Sequence, residues 1–398
     1  MILICLTVTL WGGNSIFSYY GPSCQNYGND VYGITMGNTG VSDVFRKNTG
    51  YGNPAVLGSS NKTLLSTGLL FGWTNYQSDD GTKRSFRDNS LDFPFFSVAI
   101  PLANHHLGFQ FNSMASGVLE NKTAFTVDSL NVTEKQSIDR YIYRADLLYA
   151  MSFKNFNLGM GFNYYFGHDI RKFYQNSGFG IFNTSEKLER SYKNPTATLG
   201  FTAKYNKLSV GAAYTQECTL SGDEIRSSIH ETEDLGSIKY SIPSQFSLGV
   251  TTLITDEFKI TTEYGMELWE SAAHTEYSKN SWKLGAGFAH DPTPDTRKTF
   301  LGSLPKRIGF SYRALPFDVN GNSIRETVLS GGISVPIKHS DNQLDFGMQY
   351  VIRGDIGQNK LQDRAVMFML GITGFDIITG GFDRTSPRDI PVSEETSE

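Results

Sequence analysis

The feature that most constrains this chain is alternation sustained over unusually long segments. In QLDFGMQYVIR (343–353), Leu344, Phe346, Met348, Tyr350 and Ile352 oppose Gln343, Asp345, Gly347, Gln349 and Arg353, with Val351 the one break. FKITTEYGMELW (258–269) sets Phe258, Ile260, Tyr264 and Met266 against Lys259, Glu263, Gly265 and Glu267. RYIYRADLLYAMSF (140–153) and NLGMGFNYYF (157–166) follow the same rule. Successive side chains of a strand point to opposite faces, so each segment has one apolar and one polar side. A soluble sandwich also alternates, with its apolar side inward. Three details favour the reverse. The segments exceed the usual strand of about 5–6 residues and match the about 9–11 that a tilted membrane strand needs. Aromatics stand at segment ends (Trp73, Tyr76, Tyr205, Trp269, Trp282), as in interfacial girdles. The polar faces carry long charges, Arg144, Glu263, Glu267 and Arg353, suited to a wet interior.

Such segments recur about fourteen times, from one near Thr63 to one near Arg364, with starts also placed at Tyr141, Thr196 and Tyr240. Short connections (KNF, YNK, ITDE) alternate with polar stretches read as long loops at 78–89, 117–137, 169–193 and 220–238. The expectation is an all-β transmembrane antiparallel barrel, closed so that no strand edge lies bare in lipid. The link HDPTPDTRKTFLGSLP, long where parity asks for a short turn, is the irregularity.

Composition agrees. Of 398 residues, 39% are hydrophobic and 19% charged, with 40 Gly, 28 Phe and 20 Tyr, a strand-rich balance. A net charge of −5 without a basic stripe argues against nucleic acid. No stretch reaches the about 18 apolar residues of a membrane helix. MILICLTVTLWGGNSIFS resembles a secretory leader without its positive start, so 1–18 are read as a signal peptide; a buried first strand is the alternative. Residues 379–398 form an acidic tail, expected to be disordered and periplasmic. Cys24 and Cys218 lie outside the leader, and the sequence leaves their pairing open.

Ahead of the first strand runs GITMGNTGVSDVFRKNTGYGNPAVLG, rich in Gly and Asn and without strand or helix periodicity. Its Met36, Gly37, Gly40 and Val41, followed by Asn53, Pro54 and Ala55, resemble the N-terminal region of the FadL-type outer-membrane transporters of long-chain fatty acids and other hydrophobic compounds. SIPSQFSLGV, MELWES and the ordered run LPKRIGFSYR, PFDVNG, ETVLSGGISVPI and MFMLGITGFD extend the resemblance over the chain. It implies a 14-stranded barrel at 62–378 with residues 19–61 folded inside as a hatch. It implies a monomer in outer-membrane lipid of a Gram-negative-type bacterium. A hydrophobic small molecule would diffuse in passively and leave sideways through the wall, with no cofactor.

For the ligand pocket, the candidates are apolar breaks on polar faces (Leu70, Ile142, Leu148, Val351), the hatch residues Val44 and Phe45, and the lumen cations Arg144, Arg307 and Arg353. The apolar set serves equally to pack hatch against wall. The cations suit a carboxylate head group, or ion pairs with Asp146, Glu263, Glu267 and Asp345. No catalytic motif is present: there is neither His-Glu-x-x-His nor Gly-x-Ser-x-Gly, and His230-Glu231 lacks a spaced second histidine for a metal. The expectation is a non-enzyme without metal. A structural or adhesive barrel and a general porin remain the alternatives.

Overall fold

The computed structural model describes residues 15–19, 24–25, 30–127, 130–178, 183–293, 299–337 and 342–374. The first strands of the wall are β1 Leu64–Asp79, β2 Lys83–Asp92 resuming as Phe95–Leu102, β3 His105–Val127 and β4 Leu130–Ser152. Next come β5 Phe156–Asn176, β6 Thr184–Tyr205, β7 Leu208–Thr215 resuming as Cys218–Ser228, and β8 Thr232–Ile242 resuming as Gln245–Leu253. β9 Phe258–Glu267, β10 Ser281–His290, β11 Lys306–Val319, β12 Asn322–Pro336, β13 Gln343–Asp355 and β14 Leu361–Thr373 complete it. The resulting barrel has 14 antiparallel strands. β14 pairs back onto β1, from Leu361↔Ser78 to Thr373↔Ser66, and closes the ring.

The faces are inverted relative to a soluble protein. On β4, Leu147 is 61% exposed while its neighbour Asp146 is 0% exposed. On β9, Lys259, Thr261 and Glu263 are buried, and Ile260 and Tyr264 point out. Leu158, Met160 and Phe162 on β5, Leu199 on β6, Ile308 on β11 and Leu329 on β12 continue this apolar belt. A belt of that size is stable only where the surrounding solvent is itself hydrocarbon. No helix among the described residues is long and apolar enough to cross a membrane, so the strands do the crossing.

Residues 30–60 lie against the polar, inward face all round the ring. Val31 meets β14 at Gly371, Thr35 meets β12 at Gly332, and Ser42 meets β8 at Gly249. Further on, Ala55 meets β5 at Gly159 and Leu57 meets β3 at Gly108. A segment touching the inward face of opposite walls occupies the bore. Two glycines make this approach possible. Gly37 has φ +74°, and a Cβ there would meet Phe310 O at 2.4 Å. On the wall side, a Cβ on Gly159 would sit 2.2 Å from the Ala55 nitrogen.

Several sequence expectations change. The stretches 117–137 and 169–193 are mostly ladder: Gly117–Val127 pair with Leu130–Arg140 in register, and β5 and β6 run to Asn176 and from Thr184. The starts placed at Tyr141, Thr196 and Tyr240 therefore fall well inside strands that begin at Leu130, Thr184 and Thr232. Trp73 and Tyr205 are exposed, as girdle residues should be, but Tyr76 and Trp269 are buried. Trp269 turns inward because its indole N–H donates to Glu267 Oε2 at 2.8 Å, a bond unavailable in lipid. Cys218 is a buried free thiol, and Cys24 with Gln25 pairs by backbone with Ser116 and Ala115 of β3. Ser15 and Phe17, within the expected leader 1–18, are buried here, Phe17 among Phe317, Val319 and Ile324. The rest of that leader's first 14 residues and the tail 379–398 lie outside the described residues.

Candidate functional site

The bore segment begins with a one-turn helix, α1 Val31–Thr35, capped by Asp30, whose carboxylate accepts from the Gly33 N–H at 2.8 Å. At its far end Asn53 caps the 3-10 turn Pro54–Ser59, accepting from the Ala55 N–H at 3.0 Å, with Pro54 in the first-turn position that tolerates it. Asn53 also donates to Val41 O (2.7 Å) and to Phe201 O on β6 (3.1 Å). One side chain thus ties the two resemblance motifs to each other and to the wall.

The ties to β9–β13 are charged. Glu263 Oε2 accepts from the backbone N–H groups of Gly40 (2.8 Å) and Val41 (3.1 Å), and Lys283 bonds its other oxygen at 3.0 Å. Lys259 reaches Asp43 at 2.9 Å, and Arg46 pairs with both Asp43 and Asp30. Burial alone would raise the Asp43 carboxyl, but Lys259 and then Arg46 outweigh it and hold it below its ordinary value. The Tyr32 ring has Arg307 at 4.3 Å, Arg46 at 4.7 Å and Lys259 at 4.8 Å from its centroid. Its hydroxyl donates to Asp291 at 3.1 Å, and burial pushes its pKa up to about 12. Lys259, Asp291 and Arg307 sit at the ends of β9, β10 and β11 that face the same mouth of the ring as the connections 254–257 and 291–305, the periplasmic mouth of such a barrel.

Between segment and wall lies a cavity of about 100 Å³. Val41, Asn53 and Pro54 line it from the segment, and Ile142, Arg144 and Leu148 from β4. The structure therefore brings three of the expected pocket residues together. The others lie elsewhere. Leu70 and Val351 pack with Val31, Ile34, Tyr51 and Phe95, pinning the segment to the wall. Val44 is buried and Phe45 lies under the Lys204 ammonium at 4.7 Å, neither on the cavity. Each expected cation has partners. Arg144 holds Asp146 at 2.8 Å, while Arg307 bonds Thr35, Ser334 and Asp345. Arg353 pairs with Glu326 and Asp363.

Gln110, Asn163, Tyr165, Tyr240 and Trp269 also line the cavity and were not among the sequence candidates. Tyr165 shares the inward parity of Asn163, so it breaks a polar face just as Leu148 does. Trp269 sits just past the end of β9, where parity gives no signal.

A closed barrel with an apolar outer face, a charged inner face and a segment filling its bore defines an outer-membrane β-barrel of the plugged class. Within that class, the chain belongs to the BamG family, whose profile matches residues 1–376. Its fold is similar to that of a Pseudomonas aeruginosa FadL homologue, at TM-score 0.62 and 12% identity over 89% of this chain and 99% of that one. The Ralstonia pickettii toluene transporter TbuX (TM-score 0.60, 13% identity, 87% and 98%) is also similar. So is the P. putida toluene transporter TodX (0.60, 13%, 87% and 98%). At such identities the likeness is one of fold. No curated protein matches the sequence significantly.

Proposed function

We propose that the protein admits small hydrophobic molecules, fatty acids or hydrocarbons, into the outer membrane by passive diffusion, as a monomer whose residues 19–61 act as a hatch. The observation that carries this reading is the cavity held between the bore segment and Ile142 and Leu148, inside a wall whose ladder is interrupted nearby. Lys83–Asp92 of β2 pairs with β1 alone, and β3 loses β2 as its ladder partner beyond Asn112. The chain turns aside at Phe93 and Pro94, where proline has no N–H to donate. A lateral exit along this seam spares an apolar molecule a passage through water, worth about 25 cal/mol per Å² of apolar surface. The fold shared with structures described as toluene transporters supports the reading. Filling the cavity with Leu148→Trp should cut uptake of a labelled fatty acid or arene about tenfold in cells that insert the barrel normally. Unchanged uptake would remove this reading.

The small, ion-paired cavity favours a second reading, a structural or adhesive barrel. Ligand pockets commonly hold about 300–1,000 Å³, and this one is smaller. Under that reading, a null strain keeps normal uptake of hydrophobic compounds and loses surface adhesion or envelope integrity.

A further inference from the structure

Residues 15–19 meet the barrel ahead of the bore segment and are held there by side chains from four strands. Phe17 is 2% exposed and packs among Phe317 and Val319 of β11 and Ile324 of β12, with Ile16 beside it. A Cβ on Gly354 of β13 would stand 2.4 Å from the Phe17 ring, so the wall leaves that space to the phenylalanine. Ser15 is also buried. Its hydroxyl donates to Asp363 Oδ2 on β14 and accepts from the Phe17 N–H at 3.3 Å. A leader ending at residue 18 would discard Phe17 and leave its pocket unfilled, a costly cavity.

Keeping Phe17 requires a cut further upstream. A secretory cut takes small residues at the first and third positions before the broken bond. Between the apolar run and Phe17, the bond after Ser15 has both, Ser15 and Gly13. The bond after Gly12 has Leu10 at the third position, the bond after Gly13 has Trp11 there, and the bond after Asn14 has an amide side chain at the first. Charge points to the same bond. Asp363 is fully buried, and the guanidinium that reaches it, Arg353 at 3.4 Å, also pairs with Glu326. Two carboxylates thus stand on one arginine, a setting that favours a further cation.

We propose that the chain is processed between Ser15 and Ile16, and that the new amino terminus is the cation that Asp363 receives. A leader-removing peptidase hydrolyses the bond on the unfolded chain. The Ser15 carbonyl carbon takes the water oxygen and leaves as a carboxylate, and the Ile16 nitrogen takes both water protons and becomes an ammonium. That nitrogen lies in the chain between the Ser15 hydroxyl and the Phe17 N–H, which are bonded to each other beside Asp363. Loss of Ser15 vacates the place its hydroxyl filled, and the ammonium moves into it as a charge-assisted donor. Phe17, now the second residue, anchors the terminus in its pocket. This maturation is independent of what the barrel passes.

The test is intact-mass analysis of the protein purified from the outer membrane of cells that export it, followed by acetylation of its amino groups. The expected mass is that of a chain beginning at Ile16. A start at Tyr19 or any other residue, or an uncut chain, overturns the proposal. With acetic anhydride at neutral pH, Asp363→Asn should label the Ile16 amine about tenfold faster than the wild type, because the paired ammonium holds little free amine. The variant must still migrate as a folded barrel on unheated gels, and an unchanged rate there overturns the ion pair. Should Asp363→Asn fail to fold, the wild type alone decides. Its labelling rate should rise with pH at a midpoint above the ordinary α-amino value of about 8. Burial without a carboxylate partner would lower that midpoint, so a value at or below the ordinary one also overturns the pair.

Discussion

The two sides of the ring differ in height. β3 and β4 have 23 residues each, β5 has 21 and β6 has 22, whereas β9 and β10 have 10 each. A crossing needs about 9–11 residues, so the short side stops at the lipid boundary. The tall side continues for about 12 residues, or ~40 Å of strand. The work is divided accordingly. The short side holds most of the charged anchors of the bore segment, and the tall side carries a cavity of about 480 Å³ beside Arg140, Asp169, Tyr192 and Tyr240. Height above the membrane is thus a property separate from the bilayer crossing, with its own residues.

That division can be tested by where substitutions hurt. The largest effect is expected on the short side. Lys259→Met leaves Asp43 short of a cation in a buried site, and should cost about 3–5 kcal/mol of segment docking. Limited proteolysis of residues 30–60, together with ion conductance in planar bilayers, would read it; full protection in the variant contradicts the anchoring role. Next in size, Phe162→Arg places a charge in the belt of the tall side and should cost about 2–4 kcal/mol in urea unfolding from lipid. Thr123→Arg, on the same side but above the lipid, should stay within about 0.5 kcal/mol. Equal costs at the two positions would mean that the membrane boundary is misplaced.

Acid should loosen the short side alone. Asp43 has a depressed pKa, so its contribution is complete above the ordinary value of 3.8 and is lost as pH falls through the lower folded value. Protection of residues 30–60 should therefore hold from neutrality to about pH 4 and fall below it. In Lys259→Met the burial penalty at Asp43 loses its main opponent, and the loss should move to higher pH. The smallest effect is expected at Glu120→Ala in the extension. Its bond to Lys135, 2.8 Å long, joins two half-exposed side chains and is worth under about 1 kcal/mol.

The same comparison explains what the sequence could reveal. Inside the belt, lipid on one side and a polar bore on the other force strict alternation, so β5, β9 and β13 are legible from FNLGMGFNYYF, FKITTEYGME and QLDFGMQYVIR. Above the belt both faces meet water or one another. ENKTAFTV and NVTEKQSI then lose their alternation although their backbone ladder continues, and they read as loops. The candidate site shows the same limit. Ile142 and Leu148 were visible as apolar breaks in a polar face, but parity says which side a residue faces, not at what height. It therefore could not separate them from Leu70 and Val351, which face the same bore and pack the segment.

The bore segment also constrains how the molecule is made. Ahead of it in the chain, Ser15 and Phe17 pack near the outer end of β11, β12 and β14, and the segment's own end leads at Thr63 into the base of β1. The chain is therefore strung lengthwise through the ring that its own later residues build. Threading a finished ring would require dragging Tyr32, Asp43 and their charged partners past one another in a closed bore. The cheaper order lets the sheet curl round a strung thread and seal last at the β14–β1 seam, so its final ladder to form joins the two ends of the barrel sequence.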